Sequence, residues 1–171
     1  MEDNAQLNNH LSAVQSLLSG RDTTTIDKKG RLMLPKSVRD AVGTNFVLMV
    51  GRKGCLEVTS NQYYFELWAE IKKYSAHSDY RRDYALEVVG NAHTGIEAEE
   101  SGRFVVPSDL CIECKIPKPS KVVIIGAGDV AEIWSEDEYE KYQLDPSGYN
   151  RARRDRIAGL RRSMIEEGDL A

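Results

Sequence analysis

The stretch Ile26–Arg39, IDKKGRLMLPKSVR, returns in altered form at Ala98–Cys111 as AEESGRFVVPSDLC. Gly30, Arg31 and Pro35 correspond at one constant offset to Gly102, Arg103 and Pro107. An internal repeat fixes architecture before any single residue does, because repeated units bury their apolar faces against each other. Each copy runs acidic residue, two-residue spacer, Gly-Arg, short apolar run, proline. Glycine suits a turn that needs positive φ, and Lys28-Lys29-Gly30 lies between Thr23–Ile26 and Leu32–Leu34, both good strand material. The spacing predicts a β-hairpin with a basic tip. Pro35 then opens a short helix over 36–42 that Gly43 closes, and Pro107 opens its counterpart.

The correspondence continues beyond the hairpin. Phe46–Gly51 matches Val122–Gly126, Leu56-Glu57-Val58 matches Ala131-Glu132-Ile133, and Arg81-Arg82-Asp83 matches Arg153-Arg154-Asp155. The second copy carries extra residues around Ile116–Pro119, which shifts the offset slightly. The repeated module is therefore hairpin, short helix, second hairpin and two helices. Residues 1–18 form an N-terminal extension, 19–92 a first module and 93–171 a second.

On the doubled signature Asp27-Lys28-Lys29-Gly30-Arg31, the following Leu-Met-Leu-Pro and the closing Val-Val-Ile-Ile-Gly…Glu-Ile-Trp, the chain resembles the MraZ family. The resemblance implies an α+β fold of two tandem AbrB-type swapped-hairpin modules packed as a pseudo-dimer, each followed by helices. It also implies a bacterial DNA-binding regulator of transcription, a repressor in the nucleoid acting on the division and cell-wall gene cluster. Its partners would be double-stranded DNA carrying spaced repeats and further copies of itself in a ring, with no enzymatic activity, cofactor, metal or small-molecule substrate. Lys28, Lys29 and Arg31 would contact DNA from the first tip, with Lys36 and Arg39 positioning the backbone. Two departures bear on the second tip. Glu99 stands where the family has Asp, and Cys111 stands where the first copy has Arg39. Arg103 is accordingly open to two readings, a DNA contact or an arginine held in an internal ion pair.

Composition is that of an ordinary globular chain: 171 residues, 41% hydrophobic and 29% charged. Either half alone would bury too little surface, so a core shared between halves is expected. Met1-Glu2-Asp3 is acidic where a signal peptide is basic, and no long apolar run occurs, which points to the cytoplasm. The three cysteines, an odd set, are expected as reduced thiols. A net charge of −4 repels DNA overall, so binding must rest on segregated basic surface. Lys28, Lys29, Arg31, Lys36 and Arg39 supply it, while Glu97–Glu100 and Glu136–Glu138 gather acid elsewhere.

Along the rest of the chain, Leu7, Leu11, Val14 and Leu18 have helical spacing, consistent with a docked amphipathic helix or, given Asn4, Asn8 and Asn9, a disordered arm. Tyr64, Leu67, Trp68 and Ile71 share a helix face and are expected in the core. A second helix runs from Asp79 to Val89 after a polar break that leaves His77 in a loop. Ser135–Glu138 reads as a capping box. The arginines of the last helix, Arg151 to Arg162, are either a phosphate-contacting patch or a solvated face paired with Glu166, Glu167, Asp169 or a neighbouring chain.

Two signals imitate chemistry. Gly126-x-Gly128-x-x-Ala131 has the spelling of a dinucleotide-binding turn, but that site needs a helix starting at the glycines, and Ala-Glu-Ile-Trp reads as a strand. A hairpin turn is the expectation, and a dinucleotide-binding enzyme is the alternative that rests on these glycines alone. Cys111-x-x-Cys114 has the spacing of half a zinc site, with His93 and Cys55 as conceivable further ligands and no spacing to support them. No nucleophilic triad or carboxylate pair stands out, and Asp27 and Glu99 are expected to brace their hairpins. An AbrB-fold antitoxin is a second alternative, although it would resemble one module with a tail, and this chain has two modules.

Overall fold

The computed structural model describes residues 4–10 and 17–170. The first repeat comprises β1 (Arg21–Ile26), β2 (Arg31–Met33), α1 (Lys36–Val42), β3 (Asn45–Val50), β4 (Leu56–Thr59), α2 (Asn61–Lys72) and α3 (Asp79–Val88). The second comprises β5 (His93–Glu97), β6 (Arg103–Val105), α4 (Ser108–Glu113), β7 (Ser120–Gly126), β8 (Val130–Ser135), α5 (Glu136–Leu144) and α6 (Arg151–Asp169). The fold is mixed α+β, with antiparallel pairing in a six-stranded sheet of order β1-β7-β8-β4-β3-β5 and a separate two-stranded ribbon, β2-β6.

The expected pairing of the first hairpin's arms with each other is not what forms. β1 pairs with β7 of the other repeat, from Arg21↔Ile125 to Ile26↔Ser120, and β5 correspondingly pairs with β3. β2 pairs with β6, its own counterpart. The physical reason is burial. Ile26 is the fully buried residue of the polar strand β1, and each half by itself has too few apolar side chains to cover it. Exchanging lead strands lets one core serve both halves.

Two repeat-equivalent pairs stand directly opposite each other, Leu32↔Phe104 in the ribbon and Glu57↔Glu132 at the β4-β8 junction. A pseudo-twofold axis therefore passes through both. The hydrogen bonds obey it: Val106 N–H donates to Gly30 O at 2.8 Å, and Leu34 N–H donates to Gly102 O at 3.0 Å.

Alternation sorts the central strands. Leu56, Val58, Ala131 and Ile133 point toward the ribbon, where Leu32, Phe104, Val38 and Leu110 complete the main core. Phe46 meets Phe104 edge-to-face with ring centroids 5.2 Å apart. Glu57, Glu132 and Trp134 alternate with these and face the opposite side, where the larger helices lie. There Met49, Ile71, Tyr84, Val88, Ile157 and Met164 form a second cluster, so α6 of the second repeat covers helices of the first.

Several expectations need correction. Trp68 is 37% exposed rather than in the core, with the Arg81 guanidinium 5.5 Å from its ring centroid. The capping box is half formed: Ser135 Oγ accepts from Glu138 N–H at 3.2 Å, but the Glu138 carboxylate turns to Tyr149 Oη and Lys141 Nζ instead of reaching back. Of the N-terminal stripe, Leu11 and Val14 lie outside the described residues. Leu7 is exposed on a helical segment over 4–10, and Leu18 is buried as a β-bridge to Gly128. That bridge accounts for the glycine spelling. β7 turns directly into β8, with no helix at the glycines, and a Cβ on Gly126 would collide with the backbone of Leu18 and Ser19.

Candidate nucleic-acid interface

The first tip is built by Asp27. Its Oδ1 accepts from Lys29 N–H and Arg31 N–H, both at 2.9 Å, and its Oδ2 accepts from Arg31 Nε at 2.5 Å. Gly30, at φ +80°, closes the turn by donating to Asp27 O at 3.0 Å. These donors, the Arg31 amide foremost, hold the Asp27 carboxyl below its ordinary range. The turn is thereby set without either lysine side chain. Lys28 and Lys29 stand exposed, with no ion pair among the described residues.

The second tip repeats the backbone plan. Gly102, at φ +85°, donates to Glu99 O at 2.8 Å, and Glu99 N–H donates to Arg103 O at 2.9 Å. Arg103 Nε donates to Glu99 Oε2 at 3.2 Å. One extra methylene separates the designs. The Glu99 carboxylate takes the arginine but no backbone amide, and Ser101 Oγ accepts from Arg103 N–H at a long 3.4 Å instead. The bracing roles expected of Asp27 and Glu99 are both present.

What the sequence kept apart, the ribbon brings together. Leu32 and Phe104 point into the core, so their strand neighbours Arg31, Met33, Arg103 and Val105 share the outward face. Arg31 lies opposite Val105 and Arg103 opposite Met33, which places the two arginines on a diagonal, roughly 7–8 Å apart at the backbone. Met33 is 49% and Val105 56% exposed. The face is thus two guanidiniums around two apolar side chains, flanked by two lysines and one carboxylate at the first tip and by two carboxylates at the second.

The remaining candidates divide. Lys36 is exposed and pairs with Asp40 at 2.6 Å. Arg39 turns inward: its Nη1 donates to Glu100 O at 2.7 Å, its Nε is buried without a partner, and its stem packs over Gly102. It clamps the second tip rather than projecting outward. Lys118, which sequence reasoning did not single out, lies exposed beside Gly30 and donates to Ser108 Oγ at 3.2 Å. Its signal was the insertion Ile116–Pro119, visible only as a shift of offset. The arginines of α6 pair mostly within the chain, though not with the expected acids. Arg156 makes a bidentate pair with Glu87 at 2.9 and 3.0 Å, Arg151 meets Asp155, and Arg154 donates to the carbonyls of Pro146 and Tyr149. Cys111 and Cys114 are both buried thiols, and His93 is engaged by Asp109 at 2.7 Å.

The sequence that builds these tips has relatives among known proteins. The chain is 30% identical over 142 residues to "Transcriptional regulator MraZ" of Mycoplasmoides gallisepticum, covering 83% of this chain and 93% of that protein. This chain belongs to the MraZ family. The family model described as "MraZ protein, putative antitoxin-like" matches residues 17–85, the half that carries the basic tip. Proteins of the same name from Thermoanaerobacter sp. (strain X514) and Bifidobacterium longum are 32% and 30% identical over 126 and 141 residues. Those matches cover 74% and 82% of this chain, and 86% and 92% of the relatives. Coverage of that extent takes in both repeats, so the shared ribbon is a property of the matched region and not of an appendage. No helix among the described residues is long and apolar enough to cross a membrane.

Proposed function

We propose that this MraZ-family chain binds double-stranded DNA through the outward face of the β2-β6 ribbon and acts as a repressor of transcription. The observation that carries the reading is the ribbon itself: two exposed arginines pre-set by carboxylates four residues earlier, beside two unpaired lysines. A two-stranded β-ribbon fits the major groove, and arginine is the side chain best matched to guanine there. Lys28 and Lys29 meet phosphates, and Arg31 reads bases. Lys36 positions the backbone in concert with Asp40, and Arg103 is a weaker contact because Glu99 and Glu100 surround it.

The strand exchange supports reading 19–92 and 93–171 as two AbrB-type swapped-hairpin modules packed as a pseudo-dimer. One ribbon makes few phosphate contacts, which gives micromolar or poorer non-specific affinity, on the order of 10⁻⁴–10⁻⁶ M at physiological salt. Useful occupancy then needs several copies linked in a ring and meeting spaced repeats, by effective concentration. The target by family resemblance is the division and cell-wall gene cluster, and the compartment is the cytoplasm and its nucleoid. Pull-down of sheared genomic DNA with the purified protein, read beside its mass in solution, tests this. Enrichment of a repeat-containing promoter is expected. Absence of any such promoter overturns the regulator reading, and a strict monomer with nanomolar operator affinity overturns the ring.

A further inference from the structure

The pseudo-twofold axis that pierces the ribbon emerges on the other face of the sheet between Glu57 and Glu132. Cys55, in the bend just before β4 and two residues ahead of Glu57, comes to the same side. Its Sγ and one carboxylate oxygen from each of Glu57 and Glu132 all lie within 4.8 Å of one another. Cys55 Sγ is 3.5 Å from Glu132 Oε2, and Lys53 Nζ is 3.4 Å from that same oxygen. Glu57, Glu132 and Lys53 border a cavity of about 310 Å³ whose walls include Arg52, Tyr63 and Arg153.

Two features of the cavity stand unsatisfied. The Glu57 carboxylate accepts no hydrogen bond among the described residues and faces a second carboxylate across the strand pair. Arg153 Nη2 is buried in the same cavity without a partner. Buried polar groups are ordinarily paired, and an unpaired charge is the costlier omission.

We propose that Cys55, Glu57 and Glu132 bind a borderline-soft divalent cation of the zinc class at the joint between the two repeats. One thiolate with two carboxylates is a ligand set that such ions accept. Ligand atoms about a tetrahedral zinc stand roughly 3.3–3.8 Å apart, from bond lengths of about 2.0–2.3 Å, so side-chain shifts of about an ångström close the site. The charges also balance: three negative ligands are offset by the divalent ion and the Lys53 ammonium. A water or small anion in the cavity takes the fourth position and supplies the acceptor that Arg153 Nη2 lacks. Binding forms one metal–sulfur and two metal–oxygen bonds and releases the Cys55 thiol proton, with any proton on Glu57, to solvent. No electron transfer is involved, and the site does not depend on the DNA-binding reading.

The test is cobalt(II) titration of the full-length protein, followed by displacement with zinc(II). One equivalent of cobalt should produce a thiolate-to-cobalt charge-transfer absorption with the strong visible bands of four-coordinate cobalt, and zinc should abolish both. Cys55→Ser should remove the charge-transfer band, and Glu57→Gln should weaken cobalt affinity at least tenfold. A Cys111→Ser/Cys114→Ser double variant should leave the spectrum unchanged. A wild-type protein with no four-coordinate spectrum, or a spectrum that survives Cys55→Ser, overturns the proposal. So does one lost in the double variant while its melting curve is unchanged. If Cys55→Ser does not fold, Glu57→Gln decides the question, since an undiminished cobalt affinity there refutes the site.

Discussion

Lys28 and Lys29 offer the sharpest test of the proposed DNA face, because the structure separates their charge from the integrity of the tip. The turn is closed by Asp27, Gly30 and the Arg31 backbone, and neither lysine side chain takes part. A Lys28→Ala/Lys29→Ala variant should therefore keep its stability within about 0.5 kcal/mol of the parent, as surface substitutions do. On DNA it loses two phosphate contacts. Each contributes about −0.9 to the slope of log Kobs against log salt, so the slope should flatten by roughly 1.8 for each DNA-bound chain. Between 50 and 200 mM salt that difference amounts to roughly tenfold in relative affinity, with the larger loss at low salt. Fluorescence anisotropy on a labelled operator over that range reads it directly. An affinity loss equal at all salt concentrations would refute the phosphate assignment. Arg31→Ala is expected to abolish specific binding while leaving the slope nearly unchanged, because a base contact neutralises no phosphate. Arg103→Ala should weaken binding less. If Arg103→Ala proves the more damaging in a well-folded protein, the reading head is not the first tip.

Other consequences reach the core and the joint. Phe104→Ala removes the side chain that Leu32 and Phe46 meet on the axis and should cost about 3–5 kcal/mol, measurable as a shift of the urea midpoint with unchanged m. In the metal-free protein, kept so by a chelator, Glu57 gives a pH signature, because burial first and Glu132 second push its carboxyl from 4.5 up to about 7. The folded state then holds the proton more tightly than the unfolded chain. The resulting stability is fully present below about 4.5 and is lost as pH rises through about 7, a change of roughly 3 kcal/mol. Glu57→Gln, neutral throughout, should therefore lose less melting temperature than the parent between about pH 5 and 8. Parallel pH curves for the two proteins would show that Glu57 titrates as an ordinary carboxyl.

Much of this was legible from the repeat alone. The offset from Gly30 to Gly102 predicted the equivalent tips, the short helices after Pro35 and Pro107, and the β7-β8 turn at Gly126. Strand pairing was not, because hydrophobic alternation says which face a residue takes but not which strand lies beside it. β1 reads equally well against β2 or β7, and only the shared core decides between them. Arg39 shows the same limit at a single side chain. Its charge suggested a DNA contact, whereas the backbone carbonyl of Glu100, 61 residues away in sequence, draws it inward. Cys55 had no visible partner because Glu132 reaches it only through the β4-β8 junction.

The ribbon's broken symmetry gives the proposed DNA face a direction. Its backbone is twofold to the level of individual hydrogen bonds, and a fully symmetric ribbon would engage a duplex equally well in either direction. The charges forbid that equivalence, since Lys28 and Lys29 at one end correspond to Glu100 and Ser101 at the other. A carboxylate set against a phosphate costs binding where a lysine gains it, so on the proposed DNA face one orientation of each chain on the duplex would be favoured. Chains linked head to tail in a ring would present their ribbons in one sense, and the matching operator would then be a set of direct repeats rather than a palindrome. Charge reversal of the second tip by Glu99→Lys/Glu100→Lys should then raise non-specific affinity while relaxing the preference for repeat direction. Discrimination between direct and inverted repeats that survives this change would mean that orientation is set by the oligomer and not by the ribbon.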